Sequence, residues 1–314
     1  MKKTLILAGF AGLMSTSAMA ETVGVSMALF DDNFLTVLRN GLQDYAGTLD
    51  GVEVQVEDAQ NDVAKQLDQI NNFIASGVDA IIVNPVDTSA TQAMSDAAAA
   101  AGVPLVYVNR QPINVDTLPD NQAFVASNEV ESGTLETMEV CRILKEAGKD
   151  SADIYVMQGE LSNQAAVQRT QDIHDVMESG NCGVTLNIID QQTANWSRDQ
   201  AQNLMTNWLS TGTPFDALVA NNDEMAIGAI QAMKASGIAM EDVIVAGIDA
   251  TQDALSAMQS GDLDATVFQD AAGQGKGALD AALSLARGES VEQKVYIPFQ
   301  LVTPANIDQF LQKN

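Results

Sequence analysis

Within residues 215–261 the chain makes one move twice: a short apolar strand runs into polar side chains, and a helix follows. In the first copy, FDALVANNDEMAIGAIQAMKASG, Leu218 and Val219 lie in the strand, Asn221, Asn222 and Asp223 stand at its carboxyl end, and residues 225–233 have helical spacing. In the second, DVIVAGIDATQDALSAMQSG, the pattern ends the strand at Ile248 and Asp249. Units of this kind build parallel sheets, whose ligands bind in the crevice beyond the carboxyl ends of the strands. The polar residues at those ends are therefore the first candidates for a site.

The same alternation runs through most of the chain. Residues 23–26 read as a strand, and Phe34, Val37, Leu38 and Leu42 mark one face of the helix after it. Val54 and Val56 mark a second strand, followed by a helix carrying Leu67, Ile70, Phe73 and Ile74. Strands at 79–83 and 103–108 flank a helix at 90–101. Strands at 154–157 and 184–189 are followed by the twin units above, with helices at 164–177 and 197–209. A helix, a strand at 265–268, a helix at 273–287 and a strand at 295–298 complete the pattern. The fold class is α/β, with parallel sheets wound by helices on both faces. Two wound halves could form one large sheet or two domains. Residues 111–128, with Pro112 and Pro119, interrupt the alternation and mark a crossing point. The elements after Asp249 exceed what the second half needs, so some are expected to return to the first, and several crossings make a hinge.

Residues 1–20 have the parts of a secretory signal: Lys2 and Lys3, an apolar run at 5–14, and small residues up to Ala20. Cleavage after Ala20 would leave Glu21 first, in a periplasmic protein. The apolar run is too short to span a bilayer. Removing the segment takes two lysines from the 15 basic residues and leaves all 42 acidic ones, a formal charge of −29. That charge argues against nucleic acid and against anionic membranes as partners. Cys141 and Cys182 are the only cysteines, and an oxidising compartment leaves a disulfide or two buried thiols open.

Catalytic signatures are missing: the sequence has no G-x-S-x-G, H-E-x-x-H, C-x-x-C or phosphate loop. Residues 273–277, GQGKG, lack phosphate-loop spacing and read as close helix packing. His174, the single histidine, has no partner for zinc, and Asp58, Asn61 and Asp62 lack the remaining ligands of a calcium loop. No metal and no cofactor are expected.

What remains is a set of polar and aromatic residues at strand ends. Asn84, Asn109, Arg110, Asn222, Asp249 and Gln269 fall at or just past a strand terminus, Asp31, Asp32 and Phe34 follow the first strand, and Trp196 precedes a helix of the second half. Singly each suits a cap, a turn or a packing role. Together they suit a polyhydroxylated ligand: carboxylates and amides pair with hydroxyls, arginine offers a fork of donors, and an aromatic face packs on a ring.

The ordered segments VGVSMALFDDNFLTVLRNG, IIVNPVDTSA, VYVNRQP, ANNDEMAIGA, VAGIDAT and ATVFQ resemble the ribose/galactose-type periplasmic binding proteins of ABC importers, over essentially the whole mature chain. The resemblance implies two Rossmann-like domains joined by a three-strand hinge, 21–127 plus 270–298 and 128–269 plus 299–314, with the ligand enclosed between them. It also implies that Asp32 stands where an asparagine usually binds, that Phe34 stacks, that Asn84 offers an amide, and that Arg110 and Arg169 grip ring and hydroxyl oxygens. Trp196 replaces a phenylalanine, while Asn222, Asp249 and Gln269 match directly. Asn109 replaces an aspartate, Leu35 and Ile248 replace phenylalanines, and Glu160 occupies an apolar position; the loss of aromatic walls with the gain of Asp32 and Glu160 suggests a pocket broader and more polar than one for ribose. Residues 191–198, QQTANWSR, resemble the branch associated with myo-inositol and rhizopine, as do VAGIDAT and TVFQDAAGQGKGA. An inositol-like ligand is preferred, with pentoses, hexoses and linear polyols behind it.

The implied partners are a membrane permease and, as a further candidate, a chemoreceptor, with the chain itself a monomer. Two other classes compete. An exported sugar-modifying enzyme would use Asp32 and Glu160 as an acid/base pair. A sugar-responsive transcription regulator needs a DNA-binding helix-turn-helix where this chain has an export signal.

Overall fold

The computed structural model describes residues 20–313, so the export segment lies outside the described residues except for Ala20. In chain order the first elements are β1 (Glu21–Met27), α1 (Asn33–Ala46), β2 (Val52–Asp58), α2 (Val63–Ser76), β3 (Ala80–Val83), α3 (Thr91–Ala101), β4 (Leu105–Val108) and β5 (Gln122–Ala126). Next come α4 (Glu129–Glu146), β6 (Ser151–Gln158), α5 (Gln164–Ser179), β7 (Thr185–Thr193), α6 (Arg198–Ser210), β8 (Ala217–Ala220), α7 (Asp223–Ala235) and β9 (Ile244–Ala246). The last are α8 (Gln252–Gln259), β10 (Thr266–Phe268), α9 (Ala271–Ala286), β11 (Lys294–Tyr296) and β12 (Gln300–Val302).

Six parallel strands form one sheet in the order β11-β5-β4-β3-β1-β2. Its inner strands are apolar on both faces because helices cover both. Along β3, Ala80 and Ile82 pack with Leu38, Leu42 and Leu279 of α1 and α9, while Ile81 and Val83 pack with Ile70, Phe73 and Met94 of α2 and α3. This is the two-residue alternation of a pleated strand. Of the glycines of 273–277, Gly275 serves helix contact: a Cβ there would stand 2.8 Å from the Leu38 carbonyl oxygen, so only glycine lets α9 lie this close to α1.

Four parallel strands form the second sheet, β7-β6-β8-β9, extended by bridges from Ala246 to Ala265 and from Asp249 to Phe268. Tyr155, Met157 and Leu218 face α6 and α7, with Tyr155 stacked on Trp208 at 4.3 Å between ring centroids. Ile154, Val156 and Val219 face α4 and α5. Cys141 of α4 and Cys182 after α5 form a disulfide, which resolves the alternative left open by sequence.

The polypeptide passes between the sheets at three places: after β5, after β10, and between β11 and β12, which pairs antiparallel with β10. The pattern read in the sequence did not display α4, β5 or β12. Residues 111–128 are not all connection, since β5 inserts between β4 and β11. The regular ladder of β9 stops at Ala246, and an isolated bridge from Asp249 to Phe268 carries the pairing on to the point where the chain turns into positive φ at Asp249 (128°) and Ala250 (53°).

Candidate functional site

The carboxyl ends of the two sheets face each other across a cleft. An inner chamber is lined by Asp32, Phe34, Leu35, Asn109 and Arg110 from the first lobe. The second lobe contributes Glu129, Asn163, Ala165, Arg169, Trp196, Asn222, Asp249 and Gln269. An outer vestibule shares Asp32, Arg110 and Trp196 with the chamber and adds Asp31, Asn61, Glu160, Arg198 and Glu224.

Strand-end geometry builds the first wall. Asp32 caps α1, accepting from the Leu35 N–H at 2.8 Å, and its half-buried carboxyl is pushed above the usual range by burial. Arg110 is reached through a chain of buried amides. Gln66 donates to the Asn84 carbonyl at 2.9 Å and accepts from the Val86 N–H at 2.8 Å, which fixes the loop after β3. That loop's carbonyls then hold the guanidinium, at 3.0 Å from Pro85 and 3.4 Å from Val86. Burial lowers the Arg110 pKa, against the pull of Glu160 and Asp32. Asn109, at φ 66°, is braced by Asn84 at 3.4 Å and by Gln274 at 3.2 Å.

Arg169 organises the second wall. Its guanidinium meets Glu129 through two hydrogen bonds, donates to the Asn221 carbonyl at 2.7 Å and to Gln269 at 3.3 Å, and lies 3.9 Å from Asp249. Burial works against its charge, yet the Glu129 carboxylate raises its pKa above the usual arginine value. Burial pushes Asp249 well above the ordinary carboxylate range, more than Arg169 draws it down. Asn222 spends its Oδ1 capping α7, at 3.0 Å from the Met225 N–H. Trp196, at φ 62°, presents its ring 5.6 Å from the Arg169 guanidinium and passes over Gly159, where a Cβ would come within 2.2 Å of the indole.

The lobes touch around this cleft. Asn61 donates to Glu160 at 3.3 Å, Arg110 lies 4.0 Å from Glu160, and Asn33 donates to Glu224 at 3.0 Å. Thr88 bonds Ser162 through its backbone N–H (3.1 Å) and its hydroxyl (3.0 Å). These contacts join the two walls across the cleft.

Ten of the residues singled out in the sequence line the chamber: Asp32, Phe34, Leu35, Asn109, Arg110, Arg169, Trp196, Asn222, Asp249 and Gln269. Asp31 and Glu160 line the vestibule. Asn84 stands behind Asn109, fully buried, and lines neither space. Ile248, a wall position by resemblance, is buried against Val267 and Phe299. Glu129, Asn163 and Ala165 were not anticipated. Glu129 opens α4, a helix the alternation did not display, and Asn163 reads in sequence as an ordinary turn residue; the faint signal for both was a polar residue directly before or within a helical first turn.

A family model described as a periplasmic binding protein domain matches residues 23–290. A Rhizobium meliloti protein that carries the provisional name of rhizopine-binding protein is 63% identical over 314 residues, 100% of both chains. An ABC transporter solute binding protein from Bacillus halodurans C-125, solved with bound myo-inositol, superposes with a TM-score of 0.87 and 41% identity, over 96% of this chain and 100% of the other. A Caulobacter myo-inositol binding protein, bound to myo-inositol, gives a TM-score of 0.82 and 30% identity over 92% and 95% of the two chains.

Proposed function

This chain belongs to the periplasmic binding protein domain family, and on that premise we propose that it is the substrate-binding component of an ABC importer for a polyhydroxylated carbohydrate, with myo-inositol or a related cyclitol as ligand. Its lobes, 21–127 plus 270–298 and 128–269 plus 299–314, close on the ligand and present it to a membrane permease. A chemoreceptor is a second candidate reader of the closed form. Export follows cleavage after Ala20, and the mature protein works in the periplasm as a monomer.

The observation that carries this reading is the chamber itself. Arg110 reaches it from one lobe and Arg169, Trp196 and Asp249 from the other, so one small molecule can touch both lobes at once. A ligand with contacts to both favours the closed form by its differential affinity. Carboxylates, amides and guanidinium groups pair with hydroxyls, and unpaired buried groups penalise molecules that lack them. The myo-inositol complexes of the two solved relatives support a cyclitol over ribose. That the relatives are binding proteins supports a non-catalytic role over the sugar-modifying enzyme.

Calorimetric titration of the mature chain with myo-inositol, other cyclitols, ribose, galactose and xylitol tests the reading. Binding of a cyclitol with a dissociation constant of ~1 μM or tighter, worth roughly −8 kcal/mol, is expected, and the ligand is recovered unchanged. No heat with any of these compounds, or conversion of one of them, overturns it.

A further inference from the structure

Six helices begin on a side chain that closes the first turn. Asp32, Asp62, Ser197, Asn222, Thr251 and Asp270 each accept from a backbone N–H of the helix they precede. Asn163 before α5 (φ −106°, ψ 127°) and Asn128 before α4 hold the same position on extended backbone and make no such bond, and of the two only Asn163 is buried. An asparagine there ordinarily turns its Oδ1 to the N–H groups of the first turn, which otherwise lack acceptors. Here the amide is turned elsewhere: Nδ2 donates to Glu160 Oε2 at 2.9 Å, and no group among the described residues donates to Oδ1. The residue is 1% exposed and lines the inner chamber.

Glu160 fixes that orientation. Exchanging the amide's oxygen and nitrogen would set a carbonyl oxygen against a carboxylate oxygen, a repulsive pairing. Glu160 is in turn held from across the cleft by Asn61 and by the charge of Arg110. Closure of the lobes and orientation of the Asn163 amide are thus joined through one carboxylate. A buried carbonyl oxygen forgoing an available cap is disfavoured unless another donor meets it.

We propose that Asn163 is a specificity-determining ligand contact, whose Oδ1 accepts a hydrogen bond from one hydroxyl of the captured molecule, with Glu160 as the residue that positions it. The proposal rests on the functional reading above and deepens it. It requires a donor at one particular ligand position, so it separates isomers that share size and composition.

The test is calorimetric titration of the mature parent protein, Asn163→Ala, Asn163→Ser and Glu160→Gln with myo-inositol and with each of its singly deoxygenated derivatives. Asn163→Ser keeps a hydroxyl able to cap α5, which guards against a merely misfolded variant. Asn163→Ala is expected to weaken myo-inositol by roughly 5- to 30-fold, the worth of one buried hydrogen bond. One deoxygenated derivative should bind Asn163→Ala and the parent equally, because it lacks the partner hydroxyl. Glu160→Gln should lower the discrimination against that same derivative. The proposal is overturned if Asn163→Ala binds myo-inositol within about twofold of the parent, or if it weakens every derivative by one common factor, the mark of a structural role. A parent that binds no cyclitol or sugar sinks the functional reading itself, and this inference with it.

Discussion

Glu129 and Arg169 face each other fork to fork at the chamber wall, Nε to Oε2 at 2.8 Å and Nη2 to Oε1 at 3.1 Å, with both side chains 5% exposed. A buried pair of this geometry contributes less through its own attraction than its breakage costs, because the surviving partner keeps its charge without its counter-ion. Glu129→Ala is therefore expected to destabilise the fold by about 3 to 5 kcal/mol, and Glu129→Gln by less, since an amide still accepts one bond. Urea unfolding of both variants measures this. Parent-like midpoints would remove the pair from the second lobe's support.

Asp249 lies 3.9 Å from the same guanidinium, on backbone at φ 128°, a conformation that L-residues rarely adopt. Strain held at a cleft residue marks a position fixed for contact. Asp249→Asn keeps the shape and removes the charge, and ligand affinity should fall by about 2 to 5 kcal/mol. Titration of the purified variant with the best ligand decides; unchanged affinity would place Asp249 outside the contact set.

Stability should rise as pH falls through the neutral range. Burial pushes the Asp172 carboxyl up to about 7, more than the hydrogen bond from Gln168 at 2.7 Å draws it down. Between its unfolded value and that raised one, the unfolded chain binds fewer protons than the folded chain. The sign is thus negative: this group's contribution is lost as pH climbs from about 4 to about 7, at roughly 1.4 kcal/mol per pH unit. Asp223, buried and raised to about 6, acts in the same direction. Chemical denaturation from pH 5 to 8 should show the slope, and Asp172→Asn should flatten it. An unchanged slope in that variant refutes the assignment.

The Cys141–Cys182 bridge closes a sequence separation of 41 residues and ties the second half of α4 to the loop after α5. Loop-closure entropy for that length gives roughly 4 kcal/mol of stabilisation. The chamber residues Asn163, Ala165 and Arg169 lie at the opposite end of α5. The double Ser variant should melt earlier and still bind its ligand within about twofold of the parent. A large loss of affinity in a folded double variant would contradict this separation.

Gly159 allows the Trp196 ring to close the wall, because an added methyl would fall within 2.2 Å of it. Gly159→Ala should displace the indole and weaken binding, with a change in tryptophan fluorescence on ligand addition that differs from the parent's. Parent-like affinity and emission would show that the wall accommodates the methyl.

The strand ends were legible because a parallel strand buried on both faces reads as an unbroken apolar run, and the first polar residue after it is conspicuous. Arg110, Asn222 and Gln269 came from that signal alone. α4 was hidden by its own interior: Ser132, Glu136, Thr137 and Glu139 are buried, so polar residues occupy the face that should have shown apolar periodicity. β5 was masked by its neighbours Pro112 and Pro119, although all five of its residues are buried. The expectation for Asn84 took its strand-end position as enough, whereas the side chain there serves Asn109 and the Val108 carbonyl. Which residue of a strand-end cluster reaches the cleft and which braces it depends on side-chain partners that spacing does not encode.

β11, beginning only at Lys294, takes an edge place in a sheet whose first strand starts at Glu21, and α9 covers that sheet's interior strands. A ribosome delivers residues in order, so the sheet begun earliest waits for α9 and β11, and sealing it falls to the final stretch to arrive.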